Sequence, residues 1–114
     1  MSEYIIYLIV RKDLKMSKGK IGAQCGHAVE NLIIRAPKST LIKYHQSHHT
    51  KICLESKLAD ILDIENWCHE QKIPCHLVID AGRTQLKPNT PTVLGIGPVE
   101  KKLVKNITQD LKLL

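Results

Sequence analysis

No Cys-x-x-Cys pair occurs in this chain, whose four cysteines, Cys25, Cys53, Cys68 and Cys75, stand singly. With no secretory segment ahead of them, they read as reduced, buried thiols in a cytoplasmic protein. Long apolar runs are missing too. The longest, Tyr4 to Val10, falls far short of the roughly 20 residues that span a bilayer, so we expect a soluble protein with no membrane partner. There is no Gly-x-Ser-x-Gly elbow, which argues against a covalent serine mechanism. Gly95 and Gly97 lack the register of a dinucleotide fingerprint. Internal repeats and low-complexity tracts are absent.

What is present points to one small, basic domain. With 114 residues and 43% hydrophobic content, the chain has room for a single domain, residues 1–114, around a modest core. Seventeen Lys and Arg against eleven Asp and Glu give a formal charge of +6, which favours a polyanionic partner. The charge is concentrated: five of the ten residues from Arg11 to Lys20 are basic (Arg11, Lys12, Lys15, Lys18, Lys20) and only Asp13 opposes them. A local patch of this kind binds phosphate better than a diffuse excess.

The patterning alternates strand and helix. Residues 3–11 form a nearly unbroken apolar run, the mark of a strand buried on both faces. A helix is expected over 19–35, with Ile21, Cys25, Ala28, Leu32 and Ala36 at helical spacing and Ala36-Pro37 as the stop. A second strand is read at 51–55, then a helix capped by Ser56 and running to about residue 71, with Leu58, Ile61, Leu62, Glu65 and Cys68 on one stripe. Residues 75–80 and 92–96 make a third and fourth strand. Gly97-Pro98 then opens a last helix whose Leu103, Val104, Ile107 and Leu111 face the core. The segment 39–50, with His45, His48 and His49, is left without an element. Those histidines and nearby Cys53 fit no standard metal-ligand spacing.

Two places concentrate chemistry. On the first helix, Lys20, Gln24, His27 and Asn31 form a polar stripe, while Gly19, Gly22 and Gly26 share another sector. Three interior glycines weaken a helix by roughly 1 kcal/mol each, so another backbone packs there or a ligand approaches. The polar stripe then faces either a cleft or open solvent. The second place is Asp80-Ala-Gly-Arg-Thr-Gln-Leu followed by Thr92-Val-Leu-Gly-Ile-Gly-Pro98, which puts carboxylate, guanidinium and hydroxyl groups at one sheet edge, where α/β proteins bind ligands. Taken alone, Asp80 and Thr84 also read as an Asx-type turn, and Lys101, Lys102 and Lys105 as a solvated helix face.

The segment from Val10 to Ala28 resembles the N-terminal signature of the archaeal/eukaryotic type of peptidyl-tRNA hydrolase. The segments 80–85 and 92–98 resemble its two C-terminal signatures, and Leu111-Lys-Leu-Leu its usual end. The likeness covers nearly the whole chain, more loosely from about 37 to 71. It implies a three-layer α/β/α domain on a four-stranded mixed sheet, an enzyme that hydrolyses the ester between a peptide and the terminal ribose of tRNA, no cofactor or metal, and a homodimer. By motif, Lys20, Asp80, Thr84 and Thr92 map onto the family's site, with Gln24, His27 and Arg83 in support. Arg11, Lys12, Lys15, Lys18 and Lys87 are the candidate tRNA contacts. Glu55 departs from many relatives, which carry lysine there.

The chemistry of these residues suits ester hydrolysis, which needs an activated water, a donor for the oxyanion and a proton for the leaving ribose oxygen. Asp80 can orient or deprotonate water, and Lys20 can hold an oxyanion or phosphate. Pairing with Lys20 would weaken Asp80 as a base, so positioning outweighs basicity. Thr84 and Thr92 can hold water or the ribose hydroxyl. The rival reading is a non-catalytic tRNA- or RNA-binding adaptor with the same fold, which has no need of a carboxylate beside an anionic ligand.

Overall fold

A computed structural model describes residues 2–82 and 86–114 of the chain. The central strand, β1 (Tyr4–Arg11), sends Ile5, Tyr7 and Ile9 into one core and Ile6, Leu8 and Val10 into a second, so the unbroken apolar run serves both faces of the sheet. α1 (Lys18–Arg35) and α2 (Lys38–Gln46) close one face through Ala28, Leu32 and Tyr44. α3 (Leu58–Glu70) closes the other through Ile61, Ile64 and Cys68, helped by Val104.

The remaining elements are β2 (Lys51–Ser56), β3 (Cys75–Asp80), β4 (Thr90–Glu100), a 3-10 turn (Lys101–Val104), the one-turn helix α4 (Lys105–Thr108) and β5 (Lys112–Leu113). The sheet is mixed and has five strands in the order β3-β4-β1-β2-β5. β1 and β2 are parallel, and all other pairs are antiparallel. The expected four strands are corrected by β5, in which Leu113 pairs with Leu54 and Lys112 with Glu55. Two residues are too few to show an alternating pattern.

Gly97-Pro98 does not open a helix. The pair lies inside β4, in an irregularity of its ladder with β1, where Ile5 is opposite Val99 but Tyr7 is opposite Ile96. Gly97 has φ of +112° and a Cβ there would strike the Ile5 carbonyl oxygen. Proline cannot donate to a ladder, so a central strand accepts it only at such a bulge. The last helix shrinks accordingly. Leu103, expected in the core, is exposed while Val104 is fully buried.

Two smaller corrections concern α3 and α2. Ser56 remains in β2 and Lys57 occupies the cap position without a side-chain bond. Leu62 is exposed, because about 100° of rotation from Ile61 carries it to the edge of the buried stripe, which Ile64 completes instead. The segment left without an element holds α2, which buries only Tyr44 and so shows little apolar period.

α1 lies close on β4, since a Cβ on Gly95 would come within 2.9 Å of Leu32 Cδ1 and 3.1 Å of Ala28 Cβ. This approach brings the first turns of α1 to the site.

Candidate active site

The C-terminal ends of β1 and β3, the N-terminal end of β4 and the first turns of α1 meet at one end of the sheet. Ser17 caps α1, its Oγ accepting from Lys20 N at 3.2 Å. Lys20 thereby starts a helical face that continues one turn later at Gln24.

Two bonded pairs join that face to the strands. Lys20 Nζ donates to Asp80 Oδ1 at 2.7 Å, and the two side chains are only 12% and 6% exposed. Gly82 N donates to the other carboxylate oxygen at 3.1 Å, an i to i+2 contact of Asx type beside the ion pair; the Asp80–Thr84 turn expected from the sequence reaches outside the described residues. Thr92 Oγ1 donates to Gln24 Oε1 at 2.5 Å and lies 3.3 Å from Val78 O. Thr92 and Gln24 are both buried, so each satisfies the other, and removing either partner costs about 1–3 kcal/mol.

Thr92 owes its direction to the backbone. In the ladder of β3 and β4, Val78 is opposite Val93 but Ile79 is opposite Pro91, which leaves Thr92 as the extra residue of a bulge. Bulges of this kind re-aim a side chain. The sequence carried one overlooked signal for it, a proline inside a strand that would otherwise be central.

Of the remaining candidates, His27 is exposed on α1 one turn beyond Gln24, and Asn31 is half-buried. The polar stripe is therefore buried at Gln24 and open at His27. No described atom outside the helix's own backbone lies within 4 Å of a Cβ built on Gly19, Gly22 or Gly26, so packing of another described backbone does not account for these glycines. Thr84 and Arg83 lie outside the described residues.

The basic patch divides. Lys15, Lys18 and Lys87 are exposed, and Lys12 Nζ reaches Glu55 Oε1 at 3.1 Å. Arg11 turns inward, donating from Nη1 to Pro91 O at 3.0 Å and from Nε and Nη2 to the Asp13 carboxylate at 3.1 and 2.6 Å. That hydrogen-bonded guanidinium holds the Asp13 carboxyl below its ordinary range. The inward turn of Arg11 escaped the sequence reading, because a basic run by itself does not say which members fold back.

His45 Nδ1 lies 3.0 Å from His49 Nε2, and the His49 ring stacks on Tyr44. Among the described residues no group of three or more His, Cys, Asp or Glu could hold a metal ion. No described helix is long and apolar enough to cross a membrane.

The site thus offers a fixed carboxylate, an ammonium, a hydroxyl and an amide, a set suited to directing water at a polar ester. Residues 4–114 match the family described as Peptidyl-tRNA hydrolase PTH2. The chain is 38% identical over 115 residues to the Peptidyl-tRNA hydrolase of Saccharolobus solfataricus, covering 94% of this chain and 96% of that protein. It is 36% identical over 111 residues to the Peptidyl-tRNA hydrolase of Methanococcus maripaludis, with the same two coverages, 94% and 96%. To the Probable peptidyl-tRNA hydrolase 2 of Drosophila melanogaster it is 40% identical over 113 residues, 94% of this chain and 60% of that protein.

Proposed function

The chain belongs to the peptidyl-tRNA hydrolase family PTH2, and on that premise we propose that it cleaves the ester between a peptide and the terminal ribose of tRNA, using Lys20, Gln24, Asp80 and Thr92. The observation that carries this reading is the buried Lys20–Asp80 pair beside the buried Gln24–Thr92 pair. Burying two charges costs several kcal/mol per ion before their attraction is counted, and apolar residues of similar size often serve stability as well. Chemistry is a better reason than stability for keeping them.

In the proposed mechanism Asp80 orients a water against the ester carbonyl and takes its proton as the C–O bond forms. Lys20, whose Nζ donates to Asp80 Oδ1, brings its positive charge to the developing oxyanion. Asp80 then returns the proton to the departing ribose oxygen, giving a free peptide acid and tRNA. Thr92, held by Gln24, fixes the water or the ribose hydroxyl. Thr84, with Arg83 and His27 in support, completes the set. Lys12, Lys15, Lys18 and Lys87 supply the basic surface for tRNA phosphates, while Arg11, also expected there, is turned inward.

Three finer readings belong with this one. The reaction needs no metal, since Lys20 supplies the positive charge at the oxyanion. The protein acts as a homodimer, a reading supported by exposed Ile34 and Ile42 on α1 and α2. It works in the cytoplasm as one domain spanning 1–114, consistent with a tRNA substrate and with four unbridged cysteines.

The test is peptide release from N-acetyl-aminoacyl-tRNA in EDTA by wild type and by folded Asp80→Asn and Lys20→Ala variants. We expect release by wild type and a loss of at least about tenfold, or about 1.4 kcal/mol, in each variant. Binding of tRNA without release would replace the hydrolase with the adaptor.

A further inference from the structure

We infer that Arg11 is a positioning residue that sets the Thr92 bulge, and that it serves the reaction through Thr92 rather than by touching tRNA; the inference rests on the hydrolase reading above. In the β1–β4 ladder the last backbone pair at this end is Val10 with Val93. Thr92 and Pro91 lie beyond it, where β1 no longer holds β4 by its backbone. The Arg11 side chain takes over that task. Its Nη1 donates to Pro91 O at 3.0 Å, the carbonyl immediately before Thr92.

The guanidinium is itself held from behind. Asp13 accepts from Nε at 3.1 Å and from Nη2 at 2.6 Å, a two-point grip that fixes the plane of the group. The Arg11 side chain is 11% exposed, whereas that of its neighbour Lys12 is 68% exposed. Arg11 is thus a basic residue whose donors face the protein. Only a planar fork can grip Asp13 at two points and reach Pro91 with the third nitrogen, so lysine is not an equivalent.

The consequence falls on Thr92. Its hydroxyl sits 2.5 Å from Gln24 Oε1 only because the bulge turns it toward α1. A Pro91 carbonyl released from Arg11 lets the bulge relax, and a displacement of an ångström at a positioned group can cost about a hundredfold in rate.

The test is a double-mutant cycle on the full chain, with N-acetyl-aminoacyl-tRNA as substrate and kcat and KM measured at two salt concentrations. Arg11→Lys is expected to lower kcat tenfold or more with KM and its salt dependence unchanged. In a Thr92→Val background the same substitution is expected to change kcat less than twofold. Asp13→Asn should follow this pattern with a smaller loss, and it decides the matter if Arg11→Lys does not fold. A rise in KM with a weaker salt dependence would make Arg11 a phosphate contact and overturn the inference. An equal loss in both backgrounds would reduce it to general stability and overturn it too. A wild-type protein that releases no peptide would instead overturn the hydrolase reading, and the inference with it.

Discussion

Two ion pairs stand at the same end of the sheet and look alike in a list of distances, yet they are different devices. Lys20 and Asp80 meet at 2.7 Å with side chains 12% and 6% exposed, while Lys12 and Glu55 meet at 3.1 Å with side chains 68% and 17% exposed. The first pair has largely left water, and a charge so placed needs close partners. The second keeps its ammonium in water, where screening and side-chain entropy leave a pair worth only about 0–1 kcal/mol. Bond length does not separate the two pairs. Burial does.

The largest effect should come from breaking the buried pair on one side. Lys20→Ala leaves the Asp80 carboxylate without its ammonium and is expected to cost about 3–5 kcal/mol in urea unfolding. Replacing both, as Lys20→Met with Asp80→Leu, should recover most of that stability without any activity. A double variant as unstable as the single one would mean that the pair holds the fold together, and the comparison would fail.

The exposed pair predicts a smaller response in stability and a visible one in binding. Lys12→Ala should change unfolding by about 0–1 kcal/mol. Glu55→Lys turns an attraction into a like-charge contact and adds a cation to the basic end, so tRNA affinity should rise and its salt dependence steepen. Unchanged affinity across a salt series would place tRNA elsewhere on the surface.

The smallest effect on the fold, and a sharpening of the same lesson, lies in two thiols of similar exposure. Burial, reinforced by the neighbouring Cys53, pushes Cys25 up to about 12. A hydrogen bond from Cys68 is the main cause that brings Cys75 down to about 7, against the upward pull of burial. The thiolate is the reactive form and is populated above the pKa. Cys75 should therefore alkylate with iodoacetamide at pH 8 well before Cys25, its rate falling as pH drops below about 7. Mass spectrometry of the labelled peptides checks the order, and equal labelling would show that access outweighs neighbours.

Much of this site was legible without coordinates because it is written in local patterns. The run 4–10 had to be a strand buried on both faces, and the stop at Ala36-Pro37 had to end α1. Gln24 already stood in a polar stripe with Lys20. What escaped the reading depends on partners distant in sequence. Gly97-Pro98 carries the same letters at a helix start as in a strand bulge, and only pairing with Ile5 and Tyr7 decides between them. β5 exists because β2 offers it an edge.

The sequence by itself determined the alternation of strands and helices, the basic run and the identity of the groups that can act on an ester, because spacing and side-chain chemistry are properties of the chain. Tertiary structure alone decided that Lys20 is joined to Asp80, that Thr92 sits on a bulge facing Gln24, and that Arg11 looks inward while Lys12 looks out. Those outcomes join residues 60, 68 and 80 positions apart. Contacts of that range are set by sheet order, register and helix docking, which no local window of sequence contains.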